Sequence, residues 1–241
     1  MRRFLICSGI HGDPSAVARL GRLAAGWHPD GILFTGGILA PGRPCAARST
    51  PWCLTADESR FIEEFFAALG RLKVFSAVIP GPAGEPLDEF YRLALAAELT
   101  FPDVRAVHAT LVEKAGVAVC GVGGTIAEGP LLGAETCTRT TAEYLLRPLR
   151  WSDQPRKVLL LAASPGGSPG WPYDKRLVWE LIDSFHPDLC AVYAPCDKQE
   201  SRAVGKTLMV NPGCLADGKA AWLDWSRDGR DRVEFIDRAG P

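Results

Sequence analysis

Short, wholly apolar runs alternate with segments whose apolar residues recur every three or four positions, almost from one end of the chain to the other. The first run, Phe4-Leu5-Ile6-Cys7, breaks into Ser8-Gly9-Ile10-His11-Gly12-Asp13, and a helical pattern takes over from Pro14 to Trp27. Unbroken apolar runs of this length suit strands covered on both faces. Asp13 is suited to cap the helix, and Pro14 fits its first position. Residues 31–35 predict a second strand that ends at Gly36-Gly37, and a stretch rich in Pro, Arg and Cys over roughly 38–54 reads as an exposed loop. Thr55-Ala56-Asp57-Glu58 has capping-box spacing and opens an amphipathic helix through Phe61, Ile62, Phe65, Phe66 and Leu69. Residues 73–79 predict a third strand, and 87 to about 98 a third helix. This β-α-β-α-β-α order implies parallel strands joined by right-handed crossovers.

The second half carries more strand. Residues 104–112 and 117–121 predict two strands around a hairpin-like Glu113-Lys114-Ala115-Gly116. Beyond Gly121-Val122-Gly123-Gly124 come a helix near 141–149, a strand at 158–161, a Gly/Pro/Ser loop at 164–170 and a helix at 174–185. A strand at 189–193 runs into the turn Ala194-Pro195-Cys196-Asp197, and strands at 207–210, 220–225 and 232–236 close the chain. With no internal repeat and no linker, one domain over 1–241 is expected.

Composition narrows the function classes. The 241 residues are 47 % apolar and 23 % charged, an ordinary globular balance. A formal net charge of −1, without a basic stripe interleaved with aromatics, gives no case for nucleic acid or an anionic membrane. The first apolar run is too short for a signal-peptide core, and no run reaches transmembrane length, so a cytoplasmic protein is expected. The expected partner is a small anionic ligand or another protein, with a homodimer left open. Eight cysteines without a CxxC pair read as free thiols, three of them (Cys7, Cys120, Cys190) in apolar runs. Cys45 and Cys53, in one loop, are the pair worth testing for a bond.

Candidate chemistry is sparse. His11, at the tip of the first turn, reads first as a turn histidine bonded to backbone and second as a group kept for binding or proton transfer. Asp13 reads as a helix cap rather than a ligand, and Asp197 beside Lys198 as solvated or paired. His28 and His186 each precede proline at a helix end, and His108 lies in a strand-like run. The Gly-rich turns could cradle an anion with backbone N–H groups, but none has a phosphate-loop pattern. Gly205-Lys206-Thr207 precedes a strand, not a helix, and is discounted.

The turns after the strands form a series: Gly9-Ile10-His11, Gly36-Gly37, Gly81-Pro82-Ala83-Gly84, Ala162-Ala163-Ser164-Pro165, Ala194-Pro195-Cys196-Asp197 and Asn211-Pro212-Gly213. Their order and spacing resemble the calcineurin-like metallophosphoesterase family over nearly the whole chain, closest to bacterial members whose third turn reads Gly-Pro rather than Gly-Asn-His. The most specific matches are Ser8-Gly9-Ile10-His11-Gly12 to Ser-Asp-x-His-Gly, Thr35-Gly36-Gly37 to Thr-Gly-Asp, and Asn211-Pro212-Gly213-Cys214 to Asn-Pro-Gly-Ser. Val119-Cys120-Gly121-Val122-Gly123-Gly124 is also similar to that subgroup. The resemblance implies an α/β fold, a four-layer α-β-β-α sandwich of two mixed sheets. It also implies a chemistry in which two metal ions about 3.5–4 Å apart clamp a phosphate and generate hydroxide.

Carried over residue by residue, the family's first aspartate falls on Gly9, its bridging aspartate on Gly37 and its asparagine ligand on Pro82. The histidine that protonates the leaving group falls on Ala83, the later single histidine on Ala162, and the Gly-His-x-His pair on Pro195 and Asp197. Of seven metal-ligand positions His11 alone is kept, and Asp197 alone could substitute. The expectation is therefore a degenerate dinuclear site without catalytic residues, metal or other cofactor, in a protein that binds or regulates. Its vestigial cleft would involve His11, Asp13, Gly37, Cys196 and Asp197. The alternative is an active phosphomono- or phosphodiesterase with a rearranged Mn, Fe or Zn site on His11 and Asp197. A third class is an enzyme built on Cys196 or Cys214.

Overall fold

Successive residues of a strand face opposite sides of its sheet, so each central strand here must be covered twice. The computed structural model describes residues 1–40, 54–82, 85–126, 136–163, 175–193, 198–225 and 231–237. In the first sheet, β1 (Arg3–Cys7), β2 (Gly31–Phe34), β3 (Phe75–Val78) and β4 (Val104–Ala106) run parallel. On the far side of β1 follow β13 (Ala220–Asp224) and β14 (Arg232–Ile236), each antiparallel to its neighbour. The second sheet has β6 (Val117–Val122), β9 (Arg156–Leu161), β10 (Leu189–Val192) and β12 (Thr207–Asn211) in parallel. Its antiparallel edges are β5 (Val112–Lys114) beside β6 and β11 (Glu200–Val204) beside β12. A small parallel pair, β7 (Thr125–Ile126) and β8 (Thr136–Cys137), stands apart.

Three apolar layers hold these sheets together. Phe4 and Ile6 of β1 point with Leu33, Ala77, Val119, Leu160, Ala191 and Val210 into the space between the sheets. Phe4 meets Trp225 edge-on there, with ring centroids 5.3 Å apart. Leu5 and Cys7, one residue out of phase, pack instead with residues of α1 (Pro14–Trp27), α2 (Ala56–Leu72) and α3 (Leu87–Thr100). The outer face of the second sheet, including Cys120, Leu159, Leu161 and Cys190, packs on α4 (Arg139–Trp151) and α5 (Lys175–Phe185). At about 1.5–3 kcal/mol per large apolar side chain, these layers are the main source of stability. The expected four-layer sandwich of two mixed sheets is the fold.

Local signals set most element ends. Asp13 caps α1, its carboxylate accepting from the Ser15 N–H at 2.8 Å, and Thr55 and Glu58 form the reciprocal capping box of α2. His28 and His186 end their helices in the left-handed conformation. The hairpin between β5 and β6 turns on Ala115 and Gly116, both with positive φ.

Three sequence expectations need correction. Residues 104–112 are not one strand: β4 belongs to the first sheet and β5 to the second, because the chain crosses between sheets after Ala106. Apolarity continues through the crossing because Val107 is itself buried between the sheets. The exposed loop expected over 38–54 starts late, since Ile38 and Leu39 are buried against the helices, and 41–53 lie outside the described residues. The strand β11 was not expected, since Glu200-Ser201-Arg202-Ala203-Val204 has no apolar run and lies at a mostly exposed edge. Its hairpin to β12 turns on Gly205-Lys206, the Gly-Lys pair that precedes a strand.

The described cysteines Cys7, Cys120, Cys137, Cys190 and Cys214 are free. Burial pushes the thiols of Cys7 and Cys190 far up and that of Cys120 to about 12. Cys45, Cys53 and the loop at 164–170 lie outside the described residues. Among the described residues no helix is long and apolar enough to cross a membrane.

Candidate functional site

The parallel strands β1 and β2 end side by side, so their turns meet at the carboxyl edge where α/β proteins build sites. The first turn is zipped to the second by backbone. Gly9 N–H donates to Gly36 C=O (2.9 Å), Ile10 and His11 N–H to Gly37 C=O (2.7 and 3.0 Å), and Gly12 N–H to Ile38 C=O (2.8 Å). A second seam joins it to the segment after β12, with Leu215 and Ala216 N–H donating to Ser8 and Gly9 C=O. The Ser8 hydroxyl donates to Gly213 C=O at 2.7 Å. The N–H groups of residues 9–12 are thus consumed by the protein's own carbonyls. They form no nest for an anion.

His11 projects from this turn in a left-handed backbone conformation (φ 56°). Its Nε2 lies 3.0 Å from the Tyr193 hydroxyl, and its Nδ1 lies 3.5 Å from Cys214 Sγ. The Cys214 thiol donates to Gly9 C=O at 3.0 Å. Burial lowers the His11 pKa, opposed by the charge of Asp217, while burial foremost raises that of Cys214. The pair is thereby held as neutral imidazole and thiol, the reverse of an activated Cys–His nucleophile.

The glycines beside them are crowded by side chains rather than open to a cleft. A Cβ on Gly37 would lie 3.0 Å from the Tyr193 ring and 3.1 Å from Gly9 Cα. A Cβ on Gly9 would lie 2.7 Å from Cys214 Sγ and 3.3 Å from His11 Nε2. Tyr193 is itself buried, its ring nearly perpendicular to that of His11. The space in which side chains from positions 9 and 37 would converge is taken by Tyr193 and Cys214.

The third turn holds a buried carboxylate. Glu85, 1 % exposed, accepts from Gly81 N–H at 2.6 Å and from Leu39 N–H at 3.0 Å, tying the turn after β3 to the one after β2. Pro82 C=O accepts from the Thr125 hydroxyl at 2.7 Å. Behind it His108, buried beside Tyr91, accepts Gly123 N–H on Nδ1 at 2.8 Å, so its proton sits on Nε2.

Burial lowers the His108 pKa to about 4, against an ordinary 6.5. Between those values the unfolded chain binds a proton that the folded chain refuses, so stability falls as pH falls through that window. Urea unfolding at pH 7 and pH 4.5 is expected to differ by on the order of 2–3 kcal/mol from this group. His108→Asn, which keeps an acceptor for Gly123, should remove most of that slope, and an unchanged slope would refute the assignment.

Of the expected site residues, His11 and Gly37 come together, Asp13 is the cap of α1, and Cys196 and Asp197 lie outside the described residues. Tyr193 and Glu85 were not foreseen. A tyrosine ending an apolar strand just before the turn on which the Gly-His-x-His pair falls, and a carboxylate between Gly84 and Pro86, were the available signals. Positions 9, 37, 82 and 162 carry Gly, Gly, Pro and Ala, which offer no coordinating side chain. Among the described residues no three His, Cys, Asp or Glu side chains gather as a metal-binding group.

The model of the family "Metallophosphoesterase, calcineurin superfamily" matches residues 1–234. Among solved structures the chain is similar to TT1561 of Thermus thermophilus, at 29 % identity and a TM-score of 0.79, covering 97 % of this chain and 98 % of that one. An archaeal phosphodiesterase shares the fold at 10 % identity (TM-score 0.54; 97 % and 99 % covered). So does a phosphatase from Mycoplasma pneumoniae at 10 % identity (TM-score 0.51; 98 % and 95 % covered). No curated protein matches. The chain belongs to the calcineurin-like metallophosphoesterase superfamily.

Proposed function

We propose that this chain is a non-catalytic member of the superfamily, in which the protein's own side chains fill the metal cleft, and that it acts by contact with a protein partner. The observation that carries this reading is the packing of Tyr193 against Gly37 and Cys214 against Gly9. Two dications held close need an anionic bridge between them, and here the bridging position is a glycine backed by a phenol ring. His11, the one retained ligand, has both ring nitrogens engaged. The donor set, with Gly9, Gly37, Pro82 and Ala162 at four ligand positions, therefore does not fit a dinuclear centre. The closed N–H seam of residues 9–12 also speaks against a small anion held by the first turn, which favours a macromolecular partner.

The test is metal content with turnover. The full chain, equilibrated with Mn²⁺, is analysed for Mn, Fe, Zn and Ni and assayed on bis(4-nitrophenyl) phosphate. Substoichiometric metal and no turnover are expected. Stoichiometric metal with turnover abolished by His11→Ala would overturn the reading in favour of a rearranged hydrolytic site. Turnover lost in Cys214→Ser but kept in His11→Ala would overturn it in favour of thiol chemistry.

A further inference from the structure

On the solvent side of the helix layer, α1 and α2 leave a groove of about 420 Å³ between them, the size of a small-molecule site. Its floor is apolar: Val17, Phe61 and Leu72 pack on the core below while lining the groove above. The room comes from short side chains at Ala18, Gly21 and Ala68. A Cβ added to Gly21 would meet nothing within 4 Å.

Two exposed charges on α2, Glu64 and Arg71, also line this groove. Seven residues of helix separate them, about 10 Å along the axis at about 1.5 Å per residue, which is too far for an ion pair. Arg60, one turn before Glu64, pairs with Asp57 instead, and Ala67 and Ala68 between the two charges are neutral. Among the described residues neither Glu64 nor Arg71 has an ion-pair partner. The groove thus carries an unanswered anion and an unanswered cation, set apart along an apolar floor.

We propose that the groove binds a short apolar peptide with both ends free, its ammonium on Glu64 and its carboxylate on Arg71. Three residues of extended chain span about 10 Å, the axial separation of the two charges, so a tripeptide reaches both at once. A ligand with a single charge leaves one of the two side chains unanswered, and a continuous chain passing through presents neither end. The planar guanidinium of Arg71 suits a terminal carboxylate, which it grips through two N–H groups. Apolar side chains of the peptide then cover Phe61, Leu72 and Val17. This inference does not rest on the state of the metal cleft.

Isothermal titration calorimetry of the full chain with trileucine at low salt is the test. One peptide per chain is expected, with a dissociation constant on the order of 10–100 µM. Gly21→Leu fills the groove and should abolish binding. It should not lower the thermal midpoint, since leucine is the better helix former and its side chain enters open space. Acetylating the peptide's amine should weaken binding about three-fold. Glu64→Gln should do the same to the free peptide but nothing further to the acetylated one. Amidation of the carboxylate and Arg71→Gln should be coupled in the same way. No saturable binding up to about 1 mM would overturn the proposal, as would a Gly21→Leu variant that binds as tightly as wild type. So would trileucine blocked at both ends binding as tightly as the free peptide, which would mark the groove as a seat for a continuous apolar chain.

Discussion

Replacing Gly37 by aspartate restores the carboxylate that the family's chemistry demands, yet the expected result is a less stable protein that still binds no metal. Gly37 has φ 78°, where a side chain costs roughly 1–2 kcal/mol. Its Cβ would also press on the buried Tyr193 ring at 3.0 Å and on Gly9 Cα at 3.1 Å, and a filled core yields only by moving. The two effects together predict a loss of about 3 kcal/mol, or roughly 10 °C in the thermal midpoint for a chain of this size. Tyr193→Ala removes the obstacle but opens a cavity of its own. The double variant Gly37→Asp/Tyr193→Ala should therefore be less destabilised than the two single losses added together, by about 1 kcal/mol or more. Urea unfolding of the four proteins measures this coupling. A Gly37→Asp variant within about 0.5 kcal/mol of wild type would mean that the ring does not fill the position.

The second large effect is expected at Glu85. Its carboxylate is the acceptor for the N–H groups of Gly81 and Leu39, both on buried backbone. Glu85→Ala strands those two donors, and a buried group left unsatisfied costs about 1–3 kcal/mol. A total loss of about 4 kcal/mol is expected. Glu85→Gln should fall between, since its amide oxygen can accept one N–H while its NH₂ opposes the other. Hydrogen exchange locates the effect: the Leu39 and Gly81 amides should lose protection first, ahead of the central strands. Equal loss across all strands would show that Glu85 acts on global folding rather than on the seam between the turns.

The central strands and helices were readable because each is decided by neighbours in sequence. Phe4 to Cys7 is uniformly apolar, Asp13 and Pro14 start α1, and Thr55 and Glu58 start α2. The edge strand β11 was not readable, because its pairing with β12 is made by backbone while its side chains meet solvent. The single strand expected over 104–112 failed for a related reason. Buried residues that cross between two sheets are as apolar as residues within one, so periodicity cannot mark the change of sheet.

At the site, sequence alone established what is missing at positions 9, 37, 82 and 162, since absent ligands are visible in the letters. It did not reveal what stands in their place. Tyr193 reaches His11 across 182 positions and Cys214 reaches Gly9 across 205, separations that no local pattern encodes. Tyr193 read as the last residue of a strand and Glu85 as one letter in a Gly/Pro turn. Each gained its role only when the fold brought the turns together.

If the cleft is closed, Tyr193 and a metal ion exclude one another beside His11. A crystal of the full chain equilibrated with Mn²⁺, with data collected at the manganese edge, tests this directly. No anomalous peak is expected within coordinating distance of His11 Nε2, with the Tyr193 hydroxyl still about 3.0 Å from it. An anomalous peak on His11 Nε2, with the Tyr193 ring swung away from Gly37, would contradict this exclusion.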